Sequence, residues 1–374
     1  MTKISLNNID KSKWISYPFE KIAKRISESV DPNKTDLAVY IGLEHLDAET
    51  VHIRRHGAPS DVSGGKLKCY PGDIIFGKRR AYQRKAGIVE QEGICSAHSF
   101  VFRANEDVIS ARLFPFFLHS DQFMHRMVDI SVGGLSPTIN WSDLKHQEFL
   151  LPPKDQQAEL ADLLWAMDNV IEKDLDILRT LRKYKEVKSK ELQNKLNKKV
   201  LLSEISTIIM GQSPKGKTYN ESSKGIPFIQ GNAEFTKDGP QNRLFTTAPT
   251  KIVYKNDILI SVRAPVGDLN IAQKEFCIGR GLAGIRLKNQ KLNSYVYEYL
   301  KNSKTNLDAK SSGSTFKSIN KDVLSNFEIE ISNDESVLDF ILNFYEKSNY
   351  TITNLESKLQ SSKALQKALI NQIF

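Results

Sequence analysis

Features that mark secreted or membrane proteins are scarce in this sequence. Its 374 residues include only three cysteines, Cys69, Cys95 and Cys277, and an odd number at wide spacing argues against a disulfide framework. The N-terminal segment MTKISLNNIDKSKW is polar and cannot serve as the apolar core of a signal peptide. No stretch approaches the ~18 uninterrupted apolar residues of a membrane-spanning helix. The sequence therefore predicts a cytoplasmic protein with no membrane partner.

Signatures of catalysis and metal binding are also missing. His52 and His56 lie four residues apart without the glutamate of the zinc-protease pattern, and the cysteines form no C-x-x-C pair. There is no Walker loop and no G-x-S-x-G motif. Gly279–Gly284 fits G-x-G-x-x-G, but we reject a dinucleotide site because the following residues, Ile285–Leu287, predict a strand where that site needs a helix. We expect a non-catalytic chain without a metal site.

The charge balance favours a polyanionic partner. Lysine and arginine number 53 against 44 acidic residues, which gives a formal net charge of +9. Nucleic acid is a better match to such an excess than a membrane surface. The hydrophobic fraction of 40% is ordinary for a globular protein, and the length leaves room for two domains with their own cores.

Two long stretches without proline or glycine predict long helices. They run from Lys154 to Asn197 and from Asp334 to Phe374, and apolar residues recur in both at helical spacing. Helices of this length need a partner for their apolar stripes, and pairing with each other in antiparallel orientation is the simplest solution.

The rest of the chain has the pattern of an internal duplication. The predicted elements before the first long helix recur in the same order before the second, at an offset of about 180 residues. The matched segments are Gly72–Phe76 with Asn256–Ile260, Ile94–Ser96 with Phe276–Ile278, and Thr138–Trp141 with Ser318–Lys321. Local patterns also predict a helix over Phe19–Ser29, its counterpart over Val200–Ile209, a helix over Asp107–Met127 broken near Pro115, and a strand over Leu37–Leu43.

The predicted fold class is therefore α/β (α+β). It has two similar globular domains, separated by two long antiparallel coiled-coil helices, in a pseudo-two-fold internal repeat. The predicted boundaries are 1–153 for the first domain, 154–197 for the first helix, 198–333 for the second domain and 334–374 for the second helix.

The best candidate for nucleic-acid contact is a basic cluster that directly follows a predicted strand. Five cations fall within the eight residues Lys78–Lys85, with Tyr82 and Gln83 among them, which suits phosphate contacts combined with readout of base edges. A solvated loop is the alternative. In the second copy, Arg263 follows the matching strand. The Gly/Pro loop Gly211–Lys217 contains two lysines and a glutamine, and the amides of Gln230 and Asn232 lie near predicted loop ends. The DNA-binding candidates are Lys78, Arg79, Arg80, Tyr82, Gln83, Arg84, Gln212, Lys215, Lys217, Gln230, Asn232, Arg263 and Arg280.

Several segments resemble the specificity subunits of type I restriction–modification systems. These segments are Tyr40–Glu44, Gly72–Gly77, Gly211–Pro214, Gly225–Gly231, Asp257–Arg263 and Leu150–Pro153 ahead of the first long helix. No single motif is decisive, but the resemblance covers essentially the whole chain and includes the repeat of domain and helix.

The resemblance implies a DNA-recognition role. Each globular part would be a target recognition domain for one half of a bipartite double-stranded DNA site, and the helices would set the gap and dock two methyltransferase (modification) subunits. Restriction/translocase subunits would join the full complex, and S-adenosylmethionine, ATP and Mg²⁺ would be bound by those partners and not by this chain. The candidate partner-binding residues are Leu160, Leu163, Met167, Leu178, Leu181, Ile341, Phe344, Leu355 and Leu359.

Other functions stay open at this stage. One is an interaction scaffold, a coiled coil with two α/β modules and no role on DNA. Another is a solitary DNA methyltransferase or nuclease, which the missing cofactor and catalytic motifs disfavour. A third is a specificity subunit that serves a related system with another effector.

Overall fold

The chain folds into two compact units. The computed structural model describes residues 11–237, 239–309 and 318–374. Unit 1 comprises Met1–Asp176 and Ser357–Phe374, and unit 2 comprises Ile177–Glu356. Each long helix thus contributes one part to each unit. Among the described residues, no helix is long and apolar enough to cross a membrane.

The described residues of unit 1 form three small sheets and four short helices. Its strands are β1 (Ile15–Pro18), β2 (Ala23–Ile26), β3 (Ser29–Val30), β4 (Tyr40–Ile41), β5 (Lys66–Cys69), β6 (Ile74–Gly77), β7 (Ala86–Ile88), β8 (Gly93–Cys95), β9 (Ser99–Ala104) and β10 (Glu148–Leu151). Its short helices are α1 (Phe19–Ile22), α2 (Phe114–His119), α3 (Asp121–Asp129) and α4 (Trp141–Leu144). The sheets have the strand orders β1-β10, β2-β9-β6-β7 and β3-β5-β8-β4.

Unit 2 repeats this plan with additional strands. After the long helix α5 (Lys154–Gln193), its strands are β11 (Lys198–Leu201), β12 (Ser206–Met210), β13 (Tyr219–Asn220), β14 (Ile226–Ile229), β15 (Phe235–Thr236), β16 (Gly239–Pro240), β17 (Leu244–Thr246), β18 (Ile252–Val253), β19 (Ile258–Ser261), β20 (Leu269–Ile271), β21 (Phe276–Ile278), β22 (Leu282–Leu287) and β23 (Glu328–Ile331). Its helices are α6 (Leu202–Ile205), α7 (Asn293–Asn302), α8 (Lys304–Ala309), α9 (Lys321–Ser325) and the start of the long helix α10 (Glu335–Ile373).

The sheets of the two units match. The order β12-β22-β19-β20 repeats β2-β9-β6-β7, and β11-β23 repeats β1-β10. The parallel pair β4 and β8 of unit 1 recurs as β14 and β21 of unit 2, each beside an antiparallel neighbour. The predicted internal repeat is confirmed at the level of topology.

Two predicted helices are wrong in the same way. Only Phe19–Ile22 is helical within Phe19–Ser29, and the chain then continues as β2, which pairs with β9. Likewise Leu202–Ile205 makes one helical turn before β12 pairs with β22. Long-range strand pairing outweighs local helix preference in both copies, because a segment of this length gains little from helical bonds alone.

Two further local predictions need correction. The break in the segment 107–127 falls at Ser120, whose extended backbone ends α2 and whose side chain accepts a hydrogen bond from the Phe123 amide at 3.2 Å to cap α3. Pro115 lies in the first turn of α2, where a proline is tolerated. Within 37–43, only Tyr40–Ile41 pairs as a strand.

The long helices pair in antiparallel orientation within each unit. In unit 1, Asp168 contacts Gln366 at 3.4 Å, and Asp174 contacts Lys358 at 2.9 Å. In unit 2, Arg182 contacts Glu356, and Lys185 contacts Asn349 at 2.6 Å. Residue numbers fall along α10 as they rise along α5, so the predicted antiparallel pairing is confirmed.

This pairing corrects the predicted docking residues. Leu160 lies in the core of unit 1 with Leu369, Ile370 and Ile373 of α10. Ile341 lies in the core of unit 2. The other predicted residues are also buried or half-buried: Leu163, Met167, Leu178, Leu181, Phe344, Leu355 and Leu359. Side chains that hold the fold together do not present an exposed docking face, because burial has already removed their apolar surface from solvent.

Candidate nucleic-acid interface

An ion pair with a buried carboxylate anchors the strand that leads into each candidate loop. Asp73, which precedes β6, is fully buried and receives hydrogen bonds from Arg103 of β9 at 2.7 and 3.0 Å. Asp257, which precedes β19, is bound in the same way by Arg286 of β22, with its shortest contact at 2.7 Å. Two parallel bonds to one carboxylate fix orientation as well as distance. The strands that carry the loops are therefore held alike in both units.

In unit 1 the basic loop connects β6 to β7 and is braced at several points. The Gly77 amide donates to the Lys85 carbonyl at 2.9 Å, which closes the base of the loop. The Ile139 amide donates to the Lys78 carbonyl at 3.0 Å, and the Arg80 amide donates to the Pro137 carbonyl at 2.8 Å. The loop is thus fixed against the neighbouring segment 132–139, and its side chains start from defined backbone positions.

Only part of the basic cluster faces solvent. Arg84 turns inward: its guanidinium contacts Asp121 at 2.7 Å and Glu49 at 3.1 Å, and 16% of its side chain is exposed. The Lys85 ammonium donates to the Leu43 carbonyl at 2.6 Å. The prediction that Arg84 binds DNA is therefore corrected. Arg84 is a structural residue, because its charge is neutralised within the unit.

The remaining predicted residues of this loop reach the surface to different degrees. Arg79 and Arg80 are exposed, Tyr82 is about half exposed, and Lys78 and Gln83 are partly buried. Arg80 adopts a left-handed backbone conformation with φ of 57°, which turns the chain into the short 3-10 segment that follows.

Sequence reasoning missed one cation that joins this group. The guanidinium of Arg25 on β2 lies 5.5 Å from the ring centre of Phe100 and 6.0 Å from that of Trp141. The Lys78 ammonium lies 5.3 Å from the same Phe100 ring. Burial lowers the pKa of Lys78, and the nearby charge of Arg25 lowers it further. Recognition of the strand pattern Ala23–Ile26 would have placed Arg25 on this face.

Unit 2 carries a matching loop between β19 and β20. Arg263 forms an antiparallel bridge with Ser318, as Arg79 does with Thr138. The Ile319 amide donates to the Val262 carbonyl at 3.0 Å, the same bond that Ile139 makes to Lys78. Arg263 is exposed. The two arginines thus occupy equivalent positions in the two units.

The other predicted residues of unit 2 gather where three loops meet. The Gln212 amide donates to the Ile278 carbonyl at 3.0 Å, the Arg280 amide to Ser213 Oγ at 3.4 Å, and the Gly281 amide to the Gln230 carbonyl at 3.1 Å. The side chains of Gln212, Gln230 and Arg280 are exposed there. This cluster combines amide donors and acceptors with a cation, the groups that read base edges and bind phosphate.

Three predicted residues lie apart from that cluster or are already bonded. Asn232 donates to Asp268 of the β19–β20 loop at 2.7 Å, so its amide holds two loops together. Lys215 precedes the short 3-10 turn Gly216–Thr218, Lys217 lies within it, and both are exposed. They add positive charge near Gln212 in the sequence.

The glycines of the rejected G-x-G-x-x-G pattern serve packing. A Cβ at Gly281 would lie 2.5 Å from the Gln230 carbonyl oxygen, and one at Gly284 would lie 2.4 Å from Val253 Cγ1. Residues 282–287 form strand β22, as expected from the sequence. No group of three or more His, Cys, Asp or Glu side chains able to hold a metal ion occurs among residues 11–237, 239–309 and 318–374.

Comparisons with known proteins agree with these features. The family described as type I restriction modification DNA specificity domain matches residues 63–180 and 194–360, one segment for each copy of the repeat. A Methanocaldococcus jannaschii protein, assigned provisionally as the MjaX type I restriction enzyme specificity subunit, is 30% identical over 344 residues, which cover 85% of this chain and 77% of that protein.

Two solved structures show the same architecture. One, from work on complex assembly and conformational transition of the type I restriction–modification system, is 25% identical, with a TM-score of 0.53 and coverage of 96% of this chain and 97% of that chain. The S subunit of a type I system from M. genitalium is 15% identical, with a TM-score of 0.67 and coverage of 98% and 97%, and supports the fold. The chain belongs to the type I restriction–modification specificity subunits, the subunits that recognise the DNA sequence.

Proposed function

We propose that each unit of this chain reads one half of a bipartite double-stranded DNA site. The observation that carries the proposal is the equivalence of Arg79 and Arg263. Each follows a matched strand, is exposed, and is bridged to a matched downstream residue. Two copies of one scaffold with different loop side chains provide two readers of different sequence.

The surface chemistry supports a division of roles within each reader. In unit 1, Arg25, Lys78, Arg79 and Arg80 supply positive charge for phosphates, and phosphate contacts fix the register of a protein on DNA. In unit 2, Arg263 and Arg280 supply the charge, while Gln212 and Gln230 supply amides that can pair with a base edge.

We further propose that the chain contributes recognition and assembly but no catalysis. The long helices set the gap between half-sites and dock two methyltransferase subunits, and restriction/translocase subunits complete the complex. S-adenosylmethionine, ATP and Mg²⁺ belong in this scheme to those partners.

The docking surface in this proposal is the outer face of α5. Ile177, Tyr184 and Val187 all lie in the part of α5 that belongs to unit 2, and their exposed fractions are 50%, 57% and 50%. Residues three and seven apart lie on the same face of a helix, so these side chains form an apolar stripe that stays largely exposed, although the Tyr184 ring lies 6.2 Å from the Phe344 ring of α10. An apolar stripe of this kind suits the helix of another protein.

Half-site methylation tests the division into two readers. The chain is assembled with its methyltransferase subunits, the duplex sequences that the complex methylates are determined by sequencing, and Tyr82→Ala in unit 1 is compared with Gln230→Ala in unit 2, because both side chains are exposed and suit contacts with base edges. Each variant should relax or abolish recognition in one half only, and the halves should differ. Changes in the same half from both variants, or no change from either, contradict the proposal.

A further inference from the structure

A loop of unit 1 presents an apolar side chain to solvent beside the basic loop. Leu135 is 98% exposed, and Val132 on the same loop is 57% exposed. Gly133 has φ of 113°, a conformation that favours glycine, and a Cβ at Gly134 would meet nothing within 4 Å. The loop tip therefore projects into solvent with a leucine at its end.

The projecting loop is firmly held. Val132 and Thr138 exchange backbone hydrogen bonds of 3.0 and 2.9 Å, which close the loop at its base. The Arg80 amide donates to the Pro137 carbonyl at 2.8 Å, and Arg80 Nε donates to Ser136 Oγ at 3.1 Å. Leu135 is thus held next to the exposed cations of the basic loop and is ready to bind without first being ordered.

The charges around Leu135 decide which partner suits it. Single exposed leucines are common on protein surfaces and need no partner. This one lies directly beside a loop in which Arg79 and Arg80 are exposed. Apolar side chains flanked by cations are the arrangement by which many proteins enter a DNA groove and contact the base steps.

We propose that Leu135 enters a groove of the bound DNA and packs against the bases, beside the phosphates that Arg79 and Arg80 hold. The inference rests on the proposed function of unit 1 as a reader of one half-site. It assigns to Leu135 an apolar contact that sequence reasoning did not find. A lone leucine between glycines and a proline carries no binding signature in sequence. The corresponding segment of unit 2, 310–317, lies outside the described residues.

Salt dependence separates an apolar contact from a phosphate contact. The complex assembled with its methyltransferase subunits is titrated with a duplex of its methylated sequence at several salt concentrations, for the unchanged chain and for Leu135→Ala, Leu135→Met and Leu135→Lys. Ile15→Ala, which truncates another half-exposed apolar side chain of unit 1, is the control. Assembly of each complex is measured separately by size-exclusion chromatography.

The proposal predicts a distinct pattern. Leu135→Ala should weaken binding about tenfold at every salt concentration, because the apolar contact is lost. The salt slope should not change, because the same number of counterions is released when the DNA binds. Leu135→Met should bind nearly as the unchanged chain does, and Ile15→Ala should have no effect. Leu135→Lys should steepen the slope by about 1, because a new cation would meet the phosphates.

Other outcomes overturn it in distinguishable ways. If the unchanged complex binds DNA with a normal salt slope but Leu135→Ala and Leu135→Lys behave as it does, Leu135 does not touch DNA and the reader proposal survives. If Leu135→Ala impairs assembly with the methyltransferase subunits instead, the side chain contacts a protein. If the unchanged complex does not bind DNA, the proposed function itself fails.

Discussion

Arg103 covers a carboxylate that has no access to solvent. Asp73 is 0% exposed, and the Arg103 guanidinium donates to both of its oxygens, while about half of the Arg103 side chain remains in contact with solvent. The Tyr70 amide adds a further bond to Asp73 at 3.0 Å. The pair joins β9 to the start of β6, the strand that leads into the basic loop, and its equivalent in unit 2 joins β22 to β19.

Removal of the arginine should therefore leave a buried charge without its counter-ion. We expect Arg103→Ala to lower the free energy of unfolding of unit 1 by about 2–3 kcal/mol, somewhat below the usual cost of breaking a buried pair because water can reach the vacated position. Tryptophan fluorescence in urea reports this unit, since Trp14, Trp141 and Trp165 all belong to it. Arg112→Ala breaks an exposed pair with Asp162 and should cost about 0.5 kcal/mol or less. Equal costs for the two variants would contradict the assignment.

The exposed arginines of the basic loop should contribute to phosphate binding. We expect Arg79→Ala combined with Arg80→Ala to weaken DNA binding by the assembled complex and to lower the salt slope by roughly 1–2, because one to two fewer phosphates are neutralised. Lys190→Ala, which removes an exposed cation of α5 paired with Glu186, should leave the slope unchanged. An unaltered slope in the double variant would remove the basic loop from the interface.

Burial of His119 should make unit 1 sensitive to acid. Burial lowers the pKa of His119 from 6.5 to about 4, so the folded protein keeps this ring neutral while the unfolded chain takes up a proton below pH 6.5. Stability from this residue is therefore lost as pH falls from 6.5 towards about 4. Between pH ~7 and pH ~5 the loss should be about 2 kcal/mol, measured as the difference between the unchanged chain and His119→Gln.

His52 should make the stability of unit 1 depend on pH in the opposite direction. Its hydrogen bond to Asp168 raises its pKa, so its contribution is fully present below pH 6.5 and is lost as pH rises through the raised value. His52→Gln should therefore flatten the alkaline side of the stability profile of unit 1, and His119→Gln the acid side. Identical profiles for both variants in urea unfolding followed by tryptophan fluorescence would show that neither ring titrates as described.

The spacer role can be tested where the helices pass from one unit to the other. Insertion of seven residues after both Asp176 and Glu356 adds about two turns, or about 10 Å, to α5 and α10 while it keeps the pairing within each unit. If the helices set the gap, the methylated site should gain about three base pairs between its halves. Sequencing of methylated DNA from cells that carry the variant provides the measurement. An unchanged gap would mean that the DNA spacing is set elsewhere.

The exposed stripe on α5 should control assembly. Ile177→Lys places a charge on the proposed docking face and should abolish co-purification with the methyltransferase subunits, because an unpaired charge in an apolar interface is costly. Lys183→Glu, on the same helix but about 120° away around its axis, should leave assembly intact. Thermal unfolding of the isolated chain verifies that both variants fold. Normal assembly of Ile177→Lys would exclude this face.

The sequence was most informative where a pattern repeats over distance. The long helices, their pairing and the duplicated order of strands follow from apolar periodicity and from the offset between the copies. The short strand β2 was predicted as part of a helix. Its partner strand β9 lies about eighty residues away, and local sequence preference does not depend on that pairing.

Site residues were harder to predict than the fold. Charge clustering identified Arg79 and Arg80 but could not separate them from Arg84, whose partners Glu49 and Asp121 come from distant segments. Apolar periodicity likewise marked Leu160 and Ile341, which pack inward, and not the exposed stripe that begins at Ile177. The direction in which a side chain points depends on its neighbours in space.

The composition of unit 1 has a consequence for its synthesis. Phe374 packs against Phe117 with ring centres 5.3 Å apart, and Asn371 bonds to Asp121, so the segment Ser357–Phe374 completes a core begun some 250 residues earlier. The ribosome must make all of unit 2 before unit 1 can close. Unit 2 is continuous in sequence and can fold first. The core of unit 1 stays incomplete, with apolar side chains exposed to solvent, until Ser357–Phe374 has been synthesised. A truncation that removes Ser357–Phe374 should thus damage the unit that was translated first.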